Sequence, residues 1–409
     1  MKYCLVGERL GLSYSPLIHQ LAGVNYDLKQ VSVKDLPQFV ISGEYDGYNV
    51  TMPFKREIIP YLDDISDISK NCNAVNTVLK KDGKFYGYNT DFYGMKFMAE
   101  RADVTFEDKS VLILGGGATK DTAAYLAKIS GARSVKFVSR KGEIDYENCY
   151  ERARDAQIVV NATPVGSFGF EVKKTIDLEK FEMVEAAIDC VYNPYNTPLL
   201  LDAKRLKLKI GHGIDMLVYQ AIKSEEIWLE KEYTQSFVDK ILRETKAKTL
   251  NLILTGMPSC GKTTIGAAVA EKLDKQFFDI DKIIEKSENM TCSKIIATKG
   301  EGYFRGVEKA AVDSLFSVRG AVVATGGGTV INGENADALR ANGVVVRIKR
   351  DLRMLDTFNR PLSESVGIKK LYDERKEAYE NTCDYTVAND GDVDTCVKGV
   401  IKVYENSCR

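Results

Sequence analysis

The stretch LILTGMPSCGKTTIG, from Leu252 to Gly266, decides what half of this chain must be. An apolar run breaks into a glycine loop, and a lysine and two threonines head a helical pattern. Gly256, Gly261, Lys262 and Thr263 fit G-x-x-x-x-G-K-[ST]. Glycines there let backbone N–H groups, including those of Ser259, Cys260 and Thr264, curl around phosphate oxygens. The lysine ammonium meets the β- and γ-phosphates, and the threonine hydroxyl is a Mg²⁺ ligand. The helix that follows adds the positive end of its dipole. The alternative is a chance match in a surface loop, but strand, loop and helix occur here in the required order.

Earlier in the chain, VLILGGGATKDTA (Val111–Ala123) is another apolar run that breaks into glycines before a helical pattern. Gly115 and Gly117, with Gly116 and Ala118, match the turn and close-approach positions of a dinucleotide fingerprint. The next strand, SVKFVSRKG, ends in Ser139, Arg140 and Lys141 and lacks the acidic residue that suits a free ribose 2′-hydroxyl. A basic pair at that point favours a 2′-phosphate, hence NADP over NAD. The alternative for this pair is a solvated basic turn.

The 409 residues suffice for two to three domains. Hydrophobic content of 44% and charged content of 28% are ordinary for a soluble globular chain, and a net charge of −1 gives no signature of nucleic-acid binding. No apolar run approaches the ~20 residues that span a bilayer. Nine scattered cysteines without a CxxC pair predict reduced thiols and a cytoplasmic protein. With His19 and His212 as the only histidines, a histidine-rich zinc site is excluded.

Short apolar runs alternate with amphipathic stretches, which predicts α/β architecture. Strands are expected at Lys2–Val6, Gly47–Val50, Val111–Leu114, Ser134–Val138, Ile158–Asn161 and Ala187–Asp189. The pattern from Leu217 to Arg243 is helical without Gly or Pro. The polar ETKAKT (Glu244–Thr249) then leads into the strand of the phosphate loop. The expected division is 1–243, a linker at 244–249, and 250–409. A softer boundary near Arg101–Lys109 separates a lobe of 1–100, joined by helices at 215–243, from a dinucleotide lobe of 101–214.

Three features after the phosphate loop narrow its acceptor. In FFDID, period-two alternation puts Asp279 and Asp281 on one side of an extended segment. GEGYFRGVE offers Arg305, and AVVATGGGTVI ends in Gly326, Gly327 and Gly328, where a ligand can approach the backbone. From about Leu250 to the C-terminus this constellation resembles shikimate kinase, a P-loop NTPase-type parallel α/β fold. The resemblance implies that Asp281 grips the substrate hydroxyls and that Asp279 serves Mg²⁺. It also implies that Arg305 and Arg375 hold the shikimate carboxylate, and that Arg360 in NRPLSES belongs to a lid over the phosphates of ATP. A guanidinium fork suits a carboxylate. Individually, Arg305 could pair with Glu308 on a helix, and Arg375 in DERKEAYE could be a charged helix face. The family's Arg-x-Pro-Leu-Tyr run is here RKEAY.

LSYSPLIH, GYNVTMPFK, NAVNT and GYNTDFYG precede the first glycine loop; NATPVGS, DCVYNPYNTPLL and GHGIDMLVYQA follow it. Over about Met1 to Arg243 these motifs, in this order, resemble shikimate dehydrogenase, a two-lobed enzyme with a Rossmann-type NADP domain. The resemblance implies Ser13 and Ser15 for the substrate carboxylate, and Thr51, Asn76 and Gln220 for hydroxyls. Tyr192 falls in a substrate-contact motif, Lys55 and Asp91 form the catalytic pair, and Asn161, Thr163, Gly213 and Met216 lie along the nicotinamide. Ketone reduction needs a proton for the developing alkoxide, and a lysine beside a carboxylate can donate it. Asp91 could equally be a helix N-cap, Lys55 a solvated lysine and Gln220 an ordinary helix residue.

Together the two halves imply consecutive steps: NADPH-dependent reduction of 3-dehydroshikimate to shikimate, then ATP- and Mg²⁺-dependent phosphorylation of the hydroxyl just made. The alternatives are a quinate/shikimate reductase fused to a kinase, and a non-catalytic sensor of the same metabolites. The expected partners are small molecules, with no nucleic acid and no membrane; the sequence leaves the oligomeric state open.

Overall fold

A computed structural model describes residues 1–11, 13–355 and 367–409. The chain divides into two compact units, Met1–Thr245 and Lys246–Arg409.

The first unit opens with β1 (Tyr3–Gly7), α1 (Ser15–Leu21), β2 (Tyr26–Gln30), α2 (Leu36–Ser42) and β3 (Gly47–Val50). It continues with β4 (Asp64–Ile65), α3 (Asp67–Cys72), β5 (Thr77–Lys81), β6 (Lys84–Tyr88) and α4 (Asp91–Arg101). These strands form one mixed sheet in the order β2-β1-β3-β5-β6-β4. A second run follows: β7 (Ser110–Leu114), α5 (Ala118–Ile129), β8 (Ser134–Val138), α6 (Cys149–Arg152), β9 (Ile158–Asn161), β10 (Ala186–Asp189), α7 (Pro198–Arg205) and β11 (Lys209–His212). Its sheet is parallel in the order β11-β10-β9-β7-β8. The unit finishes with α8 (Gly213–Leu229), and α9 (Gln235–Thr249) carries the boundary between units.

Parallel strands covered on both faces read as near-continuous apolar runs, and β7, β9 and β10 are buried at every position. Period-two alternation divides them between two cores. Val111, Ile113, Val160 and Ile188 join residues of α4, α5 and α8. Leu112, Leu114, Val159 and Ala187 join residues of α6 and α7 on the other face. Each of these Val, Leu and Ile side chains contributes about 1.5–3 kcal/mol relative to exposure. α4 and α8 lie against each other at Gly94, where a Cβ would stand 2.5 Å from the Met216 carbonyl oxygen.

The second unit runs β12 (Asn251–Thr255), α10 (Lys262–Lys272), β13 (Phe277–Asp279), α11 (Ile280–Glu288), α12 (Cys292–Lys299) and α13 (Glu301–Ser314). Then come β14 (Val322–Ala324), α14 (Gly333–Ala341), β15 (Gly343–Lys349), α15 (Ile368–Thr382), β16 (Tyr385–Ala388) and α16 (Val393–Cys408). Its sheet, β13-β14-β12-β15-β16, is parallel throughout. In open α/β sheets, ligands bind beyond the strand C-termini where the strand order reverses. β12 and β7 both stand at such a point, and each is the strand that feeds a glycine loop.

The six expected strands are present within one residue at either end. The helical pattern of Leu217–Arg243 is carried by two helices, α8 and α9: α8 ends before Glu230, which adopts φ 49° and caps it through its N–H to the Glu226 carbonyl. The Glu226 carboxylate then accepts from the Tyr233 N–H at 2.9 Å and holds the turn. Residues 244–249, expected as a linker, are the last turns of α9. Among the described residues no helix is long and apolar enough to cross a membrane.

Candidate active sites of the two units

In the first unit, β3 ends at Val50, and the chain turns so that Lys55 faces the start of α4. Lys55 Nζ donates to Asp91 Oδ2 at 2.5 Å, and their side chains are only 15% and 8% exposed. Lys55 is therefore no solvated surface lysine. Asp91 is not the N-cap of α4. That position belongs to Thr90, which makes no side-chain cap bond and has helical backbone angles. Asp91 opens the first turn. Its other oxygen, Oδ1, accepts from Asn76 Nδ2 at 2.9 Å, and Asn76 Nδ2 also lies 3.3 Å from Gln220 Oε1 on α8. Lys55, Asp91, Asn76 and Gln220 thus form one hydrogen-bonded cluster. Thr51 stands beside Gly7, where a Cβ would meet its methyl at 2.5 Å. At the head of α1, the Ser15 N–H donates to Ser13 Oγ at 3.2 Å, and the Ser13 side chain is hydrogen-bonded to Tyr192. Cys190 neighbours the Lys55–Asp91 pair. Burial first, then Asp189 and Asp91, push its thiol up, so it stays protonated.

At the glycine loop, Gly115 has φ +129°, and a Cβ there would lie 3.0 Å from the Ala162 carbonyl and 3.3 Å from Thr163. Gly116 and Gly117 have nothing within 4 Å of a Cβ, and Ala118 begins α5. Open backbone at a helix N-terminus is what a pyrophosphate requires. Arg140 and Lys141 lie exposed just beyond β8, the strand next to β7, and Ser139 holds the turn through its carbonyl to the Gly142 N–H. These residues fit NADP(H). Gly213 opens α8, whereas Met216 packs in the apolar core around α4 and α5.

Asp189 is a site residue that the sequence reading missed. Its Oδ1 accepts from Asn161 Nδ2 and the Val191 N–H, each at 2.9 Å, and its Oδ2 accepts from Thr197 Oγ1 at 2.6 Å. Asn161 Oδ1 in turn accepts from Thr163 Oγ1 at 2.7 Å. Asp189 therefore orients Asn161 and, through it, Thr163, two of the four residues that the resemblance places along the nicotinamide. Burial outweighs these bonds and pushes its carboxyl from the ordinary 3.8 up to about 7. A raised carboxyl makes the folded state bind its proton more tightly than the unfolded chain. The stabilising effect is complete below about pH 4 and is lost as pH rises through about 7. The melting temperature of wild type relative to Asp189→Asn should accordingly fall between those pH values; a constant difference would contradict it.

In the second unit, Gly256 and Gly261 take φ +142° and +98°, and Ser259 takes φ 63°, closing the loop before α10. Lys262 Nζ is buried and folded onto its own loop, 3.0 Å from the Gly256 carbonyl and 2.9 Å from that of Met257. Cys260 is buried, with its carbonyl accepting from Asn389 Nδ2 at 2.9 Å. Asn389, just past β16, is another residue the sequence reading missed. Thr264 is exposed on the first turn of α10. Thr263 Oγ1 donates to Asp279 Oδ2 at 2.7 Å. A hydroxyl and a carboxylate side by side beneath a phosphate loop fit Mg²⁺, which keeps most of its ligands as water and phosphate.

Asp279 and Asp281 do not share a face of an extended segment. Asp279 caps α11, accepting from the Lys282 N–H at 3.3 Å, so the chain is helical at Asp281. The cap sends the two carboxylates to different partners. Asp281 Oδ1 lies 2.8 Å from where a Gly326 Cβ would be, and Arg305 Nη1 lies 2.7 Å from that of Gly328. Asp281, Arg305 and the three glycines therefore converge. Arg305 also pairs with Glu308 at 2.7 Å and Glu301 at 2.9 Å, so the ion-pair alternative holds alongside its place at the site. Arg375 is buried on α15 and hydrogen-bonded to Tyr379, whose hydroxyl donates to the Gly327 carbonyl at 2.5 Å. Arg360 lies outside the described residues.

Comparisons with known proteins point the same way in both units. The profile for the shikimate dehydrogenase substrate binding domain matches residues 5–78, and that for shikimate kinase matches residues 258–405. A shikimate dehydrogenase (NADP(+)) of Clostridium perfringens is 35% identical over 60% of this chain and 98% of its own. One from Staphylococcus epidermidis is 34% identical over 57% and 93%. The crystal structure of shikimate dehydrogenase 1 from Peptoclostridium difficile aligns with a TM-score of 0.56 at 33% identity, over 60% of this chain and 98% of that one. A Thermus thermophilus shikimate 5-dehydrogenase, solved with NADP(H) and shikimate, aligns at 0.54 and 26% identity, over 60% and 99%. The chain belongs to the shikimate dehydrogenase family through its first unit and carries a shikimate kinase domain in its second.

Proposed function

We propose that this bifunctional enzyme reduces 3-dehydroshikimate to shikimate in its first unit and phosphorylates that shikimate in its second. The buried Lys55–Asp91 pair, in the same chain as the Thr263–Asp279 contact beneath a phosphate loop, carries this reading. NADPH, when bound, supplies hydride to the ketone carbon. Lys55 Nζ gives its proton to the ketone oxygen, which becomes the new hydroxyl, and the amine is reprotonated from solvent. Asp91 holds Lys55 in place. Asn76, Gln220 and Thr51 take the ring hydroxyls, and Ser13, Ser15 and Tyr192 take the carboxylate.

ATP, when bound with Mg²⁺, supplies the γ-phosphoryl group. Asp281 orients the acceptor hydroxyl and receives its proton, while Arg305 and Arg375 hold the shikimate carboxylate. Lys262 leaves the carbonyls of its own loop for phosphate oxygens, which are stronger partners for an ammonium. Thr263 and Asp279 would hold Mg²⁺. The protein acts in the cytoplasm on small molecules alone, a setting that suits its nine free cysteines.

A substrate panel tests this reading. Wild type with NADPH should reduce 3-dehydroshikimate in clear preference to 3-dehydroquinate; the reverse preference would make the first unit a quinate reductase. Arg140 stands where a 2′-phosphate is expected. Arg140→Ala should raise the KM for NADPH about tenfold or more, as loss of a charge-assisted contact does, and leave that for NADH nearly unchanged. Equal kcat/KM for the two cofactors in wild type would contradict this.

A further inference from the structure

Behind the reductase cluster lies a patch of buried polar side chains that none of the roles above uses. Ser224, on α8 one turn after Gln220, is fully buried, as are Thr77 on β5 and Thr90 before α4. Their hydroxyls form a chain with a definite direction. Ser224 Oγ donates to the Gln220 carbonyl at 2.9 Å, which commits its one hydrogen. Towards Thr77 Oγ1, 2.9 Å away, it is then the acceptor, so Thr77 donates. Thr77 Oγ1 in turn accepts from Thr90 Oγ1 at 3.0 Å, and Thr90 Oγ1 accepts from Asn76 Nδ2 at 3.0 Å. The donors run Asn76, Thr90, Thr77, Ser224 and end on a helix carbonyl. Asn49 Nδ2 braces the far end, 2.8 Å from Ser224 Oγ and 3.0 Å from Thr77 Oγ1.

We infer that Ser224 is a positioning residue for the reductase. Its hydroxyl sets the donor order of this chain and so fixes which way the Asn76 amide points. The Thr90 N–H, 2.6 Å from Asn76 Oδ1, holds the other end of that amide. With both ends held, Asn76 Nδ2 is aimed at Asp91 Oδ1, and the carboxylate that grips Lys55 is fixed in turn. Without the Ser224 hydroxyl, Thr77 loses its acceptor and turns to Asn76 Oδ1 at 3.2 Å. Thr90 Oγ1 still accepts from Asn76 Nδ2, but the hydroxyl of Thr77 now competes with the Thr90 N–H for Asn76 Oδ1 and draws the amide off its aim at Asp91. Hydrogen-bond chains polarise one another, so removing the terminal member is felt along the row.

This rests on the proposed reductase role of the first unit, and the test separates the two. Ser224→Ala in the full-length chain should lower kcat for 3-dehydroshikimate reduction about fivefold to tenfold, the effect of one misdirected buried hydrogen bond. The KM for NADPH should not move, and kinase turnover of the same preparation should equal wild type. A merely structural role would lower melting temperature and active fraction while leaving kcat per folded molecule in place. Thr77→Val and Thr77→Ser serve as a second pair: the valine should reproduce the loss, and the serine, which keeps the hydroxyl, should recover most of it. If Ser224→Ala does not fold, this pair decides alone. Wild type that reduces 3-dehydroshikimate, with Ser224→Ala or Thr77→Val within twofold of it, overturns the inference. Wild type that reduces nothing overturns the reductase reading itself.

Discussion

Lys55→Ala should lower 3-dehydroshikimate reduction by about 10²–10⁴-fold, the usual worth of a positioned general acid. Lys55 is the cation of the buried cluster with Asp91, Asn76 and Gln220, none of which carries a proton suited to an alkoxide. Cys190, which neighbours the pair, is held as a thiol chiefly by its burial. The loss should appear in kcat more than in the KM for NADPH, because the lysine acts on the developing alkoxide and not on the cofactor. Kinase turnover by the same preparation should be unchanged. Steady-state absorbance of NADPH measures this, and reduction within a few-fold of wild type would remove Lys55 from its role.

Lys262→Ala should give the mirror image, with phosphorylation falling about 10²-fold or more and reduction persisting. Among the described residues, Lys262 Nζ meets its own loop, at the carbonyls of Gly256 and Met257 and near Cys260 Sγ. An ammonium held by two carbonyls is preorganised within the loop that receives the phosphates, and the alanine variant leaves those carbonyls facing phosphate oxygens without a cation between them. Coupled detection of ADP measures the loss. ATP-dependent product at a near-normal rate would sink the assignment.

These sites were legible in the sequence to unequal degrees, for physical reasons. Parallel strands buried on both faces, such as β7 and β12, read as uninterrupted apolar runs, and each ends in glycines because a backbone must come close to phosphate there. Lys55, Asp91, Asn76 and Gln220 were carried by local motifs, although 165 positions separate Lys55 from Gln220 and only the fold brings them together. What was not legible depends on long-range burial. Nothing beside Asp189 in DCVYNP tells that three donors converge on it, nor does Ser224 in an amphipathic helix announce that it faces Asn49 and Thr77. Asn389 reaches the phosphate loop from the far end of the second unit's sequence. The break at Glu230 lacks Gly or Pro because a glutamate takes up the left-handed conformation, at a cost of roughly 1–2 kcal/mol that surrounding contacts offset. For Asp279 and Asp281, strand periodicity was extended two residues too far, past a side chain that caps a helix.

The central claim is that one chain makes a hydroxyl and then phosphorylates it. The most direct test incubates the purified protein with 3-dehydroshikimate, NADPH, ATP and Mg²⁺ and follows products by mass. Shikimate should appear first, and shikimate 3-phosphate should follow in an amount equal to the NADPH oxidised. Leaving out NADPH should abolish both products, and leaving out ATP should stop the sequence at shikimate. NADPH oxidation without phosphorylated product, or phosphorylation of 3-dehydroshikimate itself, would contradict the account.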